Sequence, residues 1–130
     1  MILLPHSSTD GQLLEIVHKW VQLLEAEKYE EACLLIGCTD NSGWSAELIK
    51  QCIKSYGEAI PTQKVTFEGK STDISQVVDV SRWNTNPYGS IGEVWYDLNI
   101  DGFVSDLTAT FRILYLFDGL VLQLKDIHVM

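Results

Sequence analysis

The chain has 130 residues, 46% of them apolar and 21% charged, which is ordinary for one globular domain with a core of its own. Its formal net charge of -9, from 18 acidic against 9 basic side chains, excludes a nucleic-acid-binding role built on clustered Lys and Arg. The same charge argues against docking on anionic membranes, and no run approaches the roughly 18 apolar residues of a membrane span.

Residues 1–9 read as a short, mobile leader. Met1-Ile2-Leu3-Leu4-Pro5 lacks the basic start and the length of a signal peptide. Cys33, Cys38 and Cys52 are odd in number, show no Cys-x-x-Cys spacing and have no His cluster nearby. They read as reduced and buried, which fits a cytoplasmic chain. Neither a metal ion nor a cofactor is expected.

Residues 10–57 form the helical part. Asp10 can cap a first helix over 10–27, whose residues Leu13, Leu14, Ile16, Val17, Trp20, Val21, Leu23 and Leu24 cover about half the circumference. His18 falls just outside that arc, on a solvated flank. A second helix over 29–36 stops at Gly37, a natural position for a left-handed residue. After a polar break at 39–43, Ser45 caps a third helix, with Glu47 in its first turn. Leu48, Ile49, Cys52, Ile53 and Tyr56 make its buried stripe, and Gly57 closes it.

Residues 62–130 form an antiparallel sheet. Short strands are expected at 64–67 and 74–83, followed by a surface loop at 84–90 that displays Trp83 and Tyr88. From Ile91 onward the chain reads as a three-stranded meander, because Asp101-Gly102 and Asp118-Gly119 are strong hairpin pairs between β-rich runs. Val94, Tyr96, Leu98 and Ile100 share one face of the first strand, with Glu93, Trp95, Asp97 and Asn99 on the other. In the second strand Leu107, Ala109, Phe111, Ile113, Tyr115 and Phe117 fall on the core face. Its reverse carries Asp106, Thr108, Thr110 and Arg112, then turns apolar at Leu114 and Leu116.

Register predicts a bulge in the last strand. A two-residue turn at Asp118-Gly119 pairs Phe117 with Leu120, Tyr115 with Leu122 and Ile113 with Leu124. Continued unchanged, it would drive Asp126 and His128 into the core. One extra residue near Lys125-Asp126 instead places Ile127 and Val129 on the core face. It also sends His128 beside Thr110 and Asp126 toward Arg112. In the first hairpin, a two-residue turn at Asp101-Gly102 sets Asp97 directly against Asp106. Such like charges repel, so two further residues or a cation between them would relieve the pair.

Helices followed by strands give an α+β fold, with the N-terminal helices on the concave face of a curved, bulged antiparallel β-sheet. The element order, with Tyr29-Glu30-Glu31-Ala32 opening the second helix and Trp44-Ser45-Ala46-Glu47-Leu48 opening the third, resembles the nuclear transport factor 2-like (cystatin-like) superfamily. Ser105-Asp106-Leu107-Thr108-Ala109-Thr110-Phe111 and Lys125-Asp126-Ile127-His128-Val129-Met130 resemble endings of small bacterial members of that group. The resemblance implies a cone with the sheet wrapped round the first helix, often with a pocket at its open end, and it implies no particular reaction.

None of the strong catalytic motifs is present. A cone pocket would be lined by Trp20, Tyr56, Tyr96 and Tyr115, without a carboxylate or histidine from the meander. The polar candidates, Asp97, Asp106, Arg112, Asp126 and His128, lie on the reverse face of the sheet. The same face turns apolar at Trp95, Leu114, Leu116 and Val121, which suits a homodimer interface. Two function classes follow. One is a non-catalytic binding or protein-interaction domain, for example an immunity-type or regulatory partner of a basic protein. The other is a small-molecule binder or isomerase- or dehydratase-like enzyme using the cone pocket.

Overall fold

A computed structural model describes residues 2–38, 43–83 and 89–129. Most of the expected polar break after the second helix, and the expected surface loop with Tyr88, lie outside the described residues. Among those described, three helices precede five strands: α1 Asp10–Glu25, α2 Tyr29–Leu35, α3 Ala46–Lys54, β1 Val65–Thr66, β2 Val78–Arg82, β3 Ser90–Ile100, β4 Phe103–Leu116 and β5 Gly119–Val129. No helix among them is long and apolar enough to cross a membrane.

Local chemistry sets the helix ends. Thr9, one residue earlier than expected, caps α1 by accepting from the Gln12 amide, while the Gln12 side chain takes the Thr9 N–H at 2.8 Å. Gly37 takes the left-handed conformation just beyond α2, at φ 68°. Ser45 caps α3 through the Leu48 N–H at 3.1 Å. Leu13, Ile16, Val17, Trp20, Val21 and Leu24 bury one side of α1. They face Val94, Tyr96, Leu98, Leu107, Ala109, Phe111 and Ile113 of the curved sheet. The Trp20 and Phe111 rings meet edge to face with centroids 5.0 Å apart.

The sheet is antiparallel in the order β1-β3-β4-β5, and β2 shares with β1 the outer edge of β3. Asp101 and Gly102, at φ 50° and 84°, make the expected two-residue turn, and Ile100 pairs with Phe103. The expected opposition of Asp97 and Asp106 does not form. Between the pairs Asn99–Val104 and Asp97–Thr108, Leu98 alone on β3 spans Ser105, Asp106 and Leu107 on β4. Those two extra β4 residues relieve the charge clash within the strand rather than in the turn.

At the second turn Leu116 pairs with Gly119, so Phe117 and Asp118 form the loop instead of Asp118 and Gly119. Gly119 serves a different need. The leader runs beside β5, with Leu4 exchanging both backbone bonds with Leu120 at 2.8 and 2.7 Å, and a side chain at Gly119 would collide with the Leu4 carbonyl. The leader is therefore fixed, not mobile: Nε2 of His6 lies 2.7 Å from the Leu116 carbonyl oxygen and its ring stacks on Tyr115. Tyr115 and Phe117 also leave their expected core positions. Phe117 is 99% exposed at the hairpin tip and Tyr115 49%. On β4 the core residues end at Ile113, while Leu120, opposite Tyr115 on β5, stays buried with Leu4 packed against the core.

The bulge in β5 sits at Lys125, as expected: Phe111 pairs with Leu124 and Thr110 with Asp126. The turn displaced the register by two residues, so Ile127 faces Ala109 instead of Phe111 and His128 faces Thr108 instead of Thr110. An even displacement leaves every side chain on its expected face.

The cysteines differ from expectation. Cys33 and Cys38 form a disulfide across the end of α2, leaving Cys52 as the free thiol among the described residues. The turn around Gly37, closed by the Cys38 N–H donating to the Cys33 carbonyl, brings two positions together that spacing alone would not pair.

Candidate groove on the outer face of the sheet

Period-two alternation puts Trp95 and Asp97 of β3, Thr108 and Thr110 of β4, and Asp126 and His128 of β5 on the face away from the helices. Register arranges them in rows: Asp97, Thr108 and His128 run across the sheet, and Asp79, Trp95, Thr110 and Asp126 run beside them. The next row holds Ser81, Glu93, Arg112 and Gln123.

This face is polar yet partly closed. Thr108 is fully buried, and Asp97 is only 8% exposed. The buried carboxylate is held by two donors, the Thr108 hydroxyl at 2.7 Å and the Val77 N–H at 2.9 Å. Gln76 also donates to the Asp97 carbonyl, so the segment before β2 is fastened across Asp97. Ile74, Ser75 and Val77 of that segment, with Trp95, Asp97, Ser105 and Asp106, enclose a groove of about 300 Å³. The second carboxylate in it, Asp106, is fixed from below by the Tyr56 hydroxyl.

Next to it, on the α3 side, Cys52, Tyr56, Leu107, Ile127 and His128 line a hollow of about 280 Å³. His128 Nδ1 lies 3.1 Å from Asp126, and its ring meets Trp95 edge to face at 6.0 Å. Burial, then the charge of Asp126, pushes the Cys52 thiol up. That makes it a poor nucleophile. Burial likewise raises the Tyr56 hydroxyl, aided by its bond to Asp106. Among the described residues no three His, Cys, Asp or Glu side chains converge on a point that could hold a metal ion.

Five sequence candidates thus gather around one region: Trp95, Asp97, Asp106, Asp126 and His128. Arg112 stands one row away between Glu93 and Gln123 and makes no ion pair with Asp126 among the described residues. Of the expected interface residues, Leu114 is half-buried, Leu116 is 40% exposed and Val121 is buried. The expected pocket residues do not assemble: Trp20 is sealed against Phe111, Tyr96 is buried beside His18, Tyr56 binds Asp106 and Tyr115 is at the far hairpin. Ile74, Ser75, Val77 and Ser105 were missed. The anticipated Asp97–Asp106 clash was the available signal for an irregularity at Ser105.

A family model described as Domain of unknown function (DUF7668) matches residues 21–130. The chain belongs to that family. The span shared with DUF7668 includes the whole meander, the segment over 74–77 and therefore every residue of the groove. No curated protein and no solved structure matches the chain.

Proposed function

We propose that this chain is a non-catalytic protein-interaction domain that binds a basic partner through the outer face of its sheet, centred on the Trp95 groove. The observation that carries the reading is an apolar strip beside fixed carboxylates. Ile74 and Val77 are 42% and 54% exposed, and they line the groove with Asp97 and Asp106. Exposed apolar clusters rimmed by charge mark contact surfaces. The net charge of -9 favours a basic protein by electrostatic steering.

The small-molecule reading draws less support, since Trp20 and Phe111 fill the interior where a cone pocket would open. Self-association through Trp95, Leu114 and Leu116 remains a second form of the interaction reading, favoured by the fully exposed Phe117 at the end of the same hairpin. A cytoplasmic setting is not part of the proposal, because a Cys33–Cys38 bridge suits an oxidising compartment.

The test is cross-linking with mass spectrometry in extracts of the source cells, comparing the wild type with Val77→Lys. A basic protein linked near residues 74–79 and lost in the variant supports the reading. Links confined to the helical face, or no specific partner at micromolar concentration, refute it.

A further inference from the structure

We propose that the Trp95 groove receives the guanidinium of an arginine side chain from the partner protein. The proposal rests on the interaction reading above and specifies the chemistry of its central contact.

The groove has the materials for a cation on an apolar stem. Ile74, Val77 and the Trp95 ring supply apolar wall, and Asp97 and Asp106 supply negative charge. Its volume of about 300 Å³ lies at the lower end of small-molecule sites, suited to one side chain with a few waters.

Both carboxylates are positioned before anything binds. Asp97 is held through Thr108 and Val77, and Asp106 through Tyr56. A carboxylate oxygen that accepts one hydrogen bond can accept another, so the fixed groups keep capacity for a ligand. Fixing them in advance lowers the ordering cost of binding. On this face Lys125 is paired with Glu93 at 2.6 Å, and Arg112 stands one row from Trp95, opposite Glu93. A neutral occupant would cover two negative charges without supplying a counter-charge, and an anion would be repelled.

Arginine fits better than lysine. Its planar guanidinium stacks on an indole while forking to a carboxylate, and it sheds water more easily than an ammonium. Asp79 and Asp126, in the Trp95 row, add to the attractive field on either side.

The test follows the Trp95 indole N–H by NMR on the full chain, with Trp95→Phe assigning the peak. The probe is N-acetyl-arginine N-methylamide, and the control is the neutral citrulline counterpart. The expected result is a saturable shift with a millimolar Kd for the arginine probe, weakening with added salt, and little response to citrulline. Asp106→Asn keeps an acceptor for the Tyr56 hydroxyl and should weaken the probe about tenfold, equivalent to about 1.4 kcal/mol. Equal shifts from citrulline, or no saturation by roughly 50 mM, overturn the arginine site.

The partner experiment separates this failure from failure of the interaction reading. If the arginine probe does not bind while the partner still cross-links beside Val77, the interaction face stands and the arginine pocket falls. If the probe binds while the partner links elsewhere, the assignment of that arginine to the partner is overturned.

Discussion

The indole N–H of Trp44 donates to the carbonyl of Lys125 at 3.1 Å, joining the start of the third helix to the extra residue of β5. A bulge leaves backbone groups outside the ladder, and each must find another partner. Here the helical layer supplies two, since the Leu124 N–H also donates to the Ile36 carbonyl at 3.2 Å. The bulge that keeps Asp126 and His128 on the outer face is thus held from the opposite side of the sheet.

Trp44→Phe removes that donor while keeping an aromatic ring. The expected loss is about 1 kcal/mol, typical of one hydrogen bond at a half-buried site. Faster amide hydrogen exchange at residues 124–126 should accompany it. Unchanged exchange there would show that the bulge does not depend on the indole.

Thr108→Val is nearly isosteric but leaves Asp97 one donor short. With Asp97 only 8% exposed, the expected cost is about 1–3 kcal/mol in urea unfolding. Thr108→Ser, which retains the hydroxyl, should recover much of it. A Val variant as stable as wild type would mean the carboxylate is satisfied without Thr108.

Replacing Cys33 and Cys38 together by Ser opens a short loop, with a sequence separation of 5. The loop-entropy relation gives a loss of about 2 kcal/mol. Because Ile36 lies inside that loop and accepts from Leu124, exchange at the β5 bulge should rise as well. Identical melting of the wild type with and without reductant would contradict this.

Alkaline pH should destabilise the fold. Burial pushes the hydroxyls of Tyr29, Tyr56 and Tyr96 above the ordinary 10.0, and the Cys52 thiol above 9.0. The folded state therefore holds these protons more tightly than the unfolded state. The stability they confer is complete below the unfolded values and is lost as pH rises through the folded ones. Urea midpoints should be level near pH 8 and fall by about pH 11, with a smaller fall in Tyr96→Phe. A midpoint that rises over this range would reverse the sign.

The Lys125 bulge was legible because alternation forced a choice: an unbroken strand would have buried Asp126 and His128. The Asp101-Gly102 turn was legible because two successive left-handed residues leave few alternatives. The second hairpin misled, since Gly119 is needed for the close approach of Leu4, a contact more than a hundred residues distant in the chain. The groove was only half legible. Trp95, Asp97 and Asp106 could be placed on the outer face, but its other wall comes from Ile74, Ser75 and Val77, whose alternation does not say what they cover.

By itself, then, the sequence determined the helices, the meander, the faces of its strands and the need for one bulge, because these follow from capping and period-two burial over a few residues. Tertiary structure alone decided the disulfide, the pinned leader and the groove wall. Each of these depends on which distant backbone comes within bonding distance, and that is fixed only when the sheet has curved round the helices.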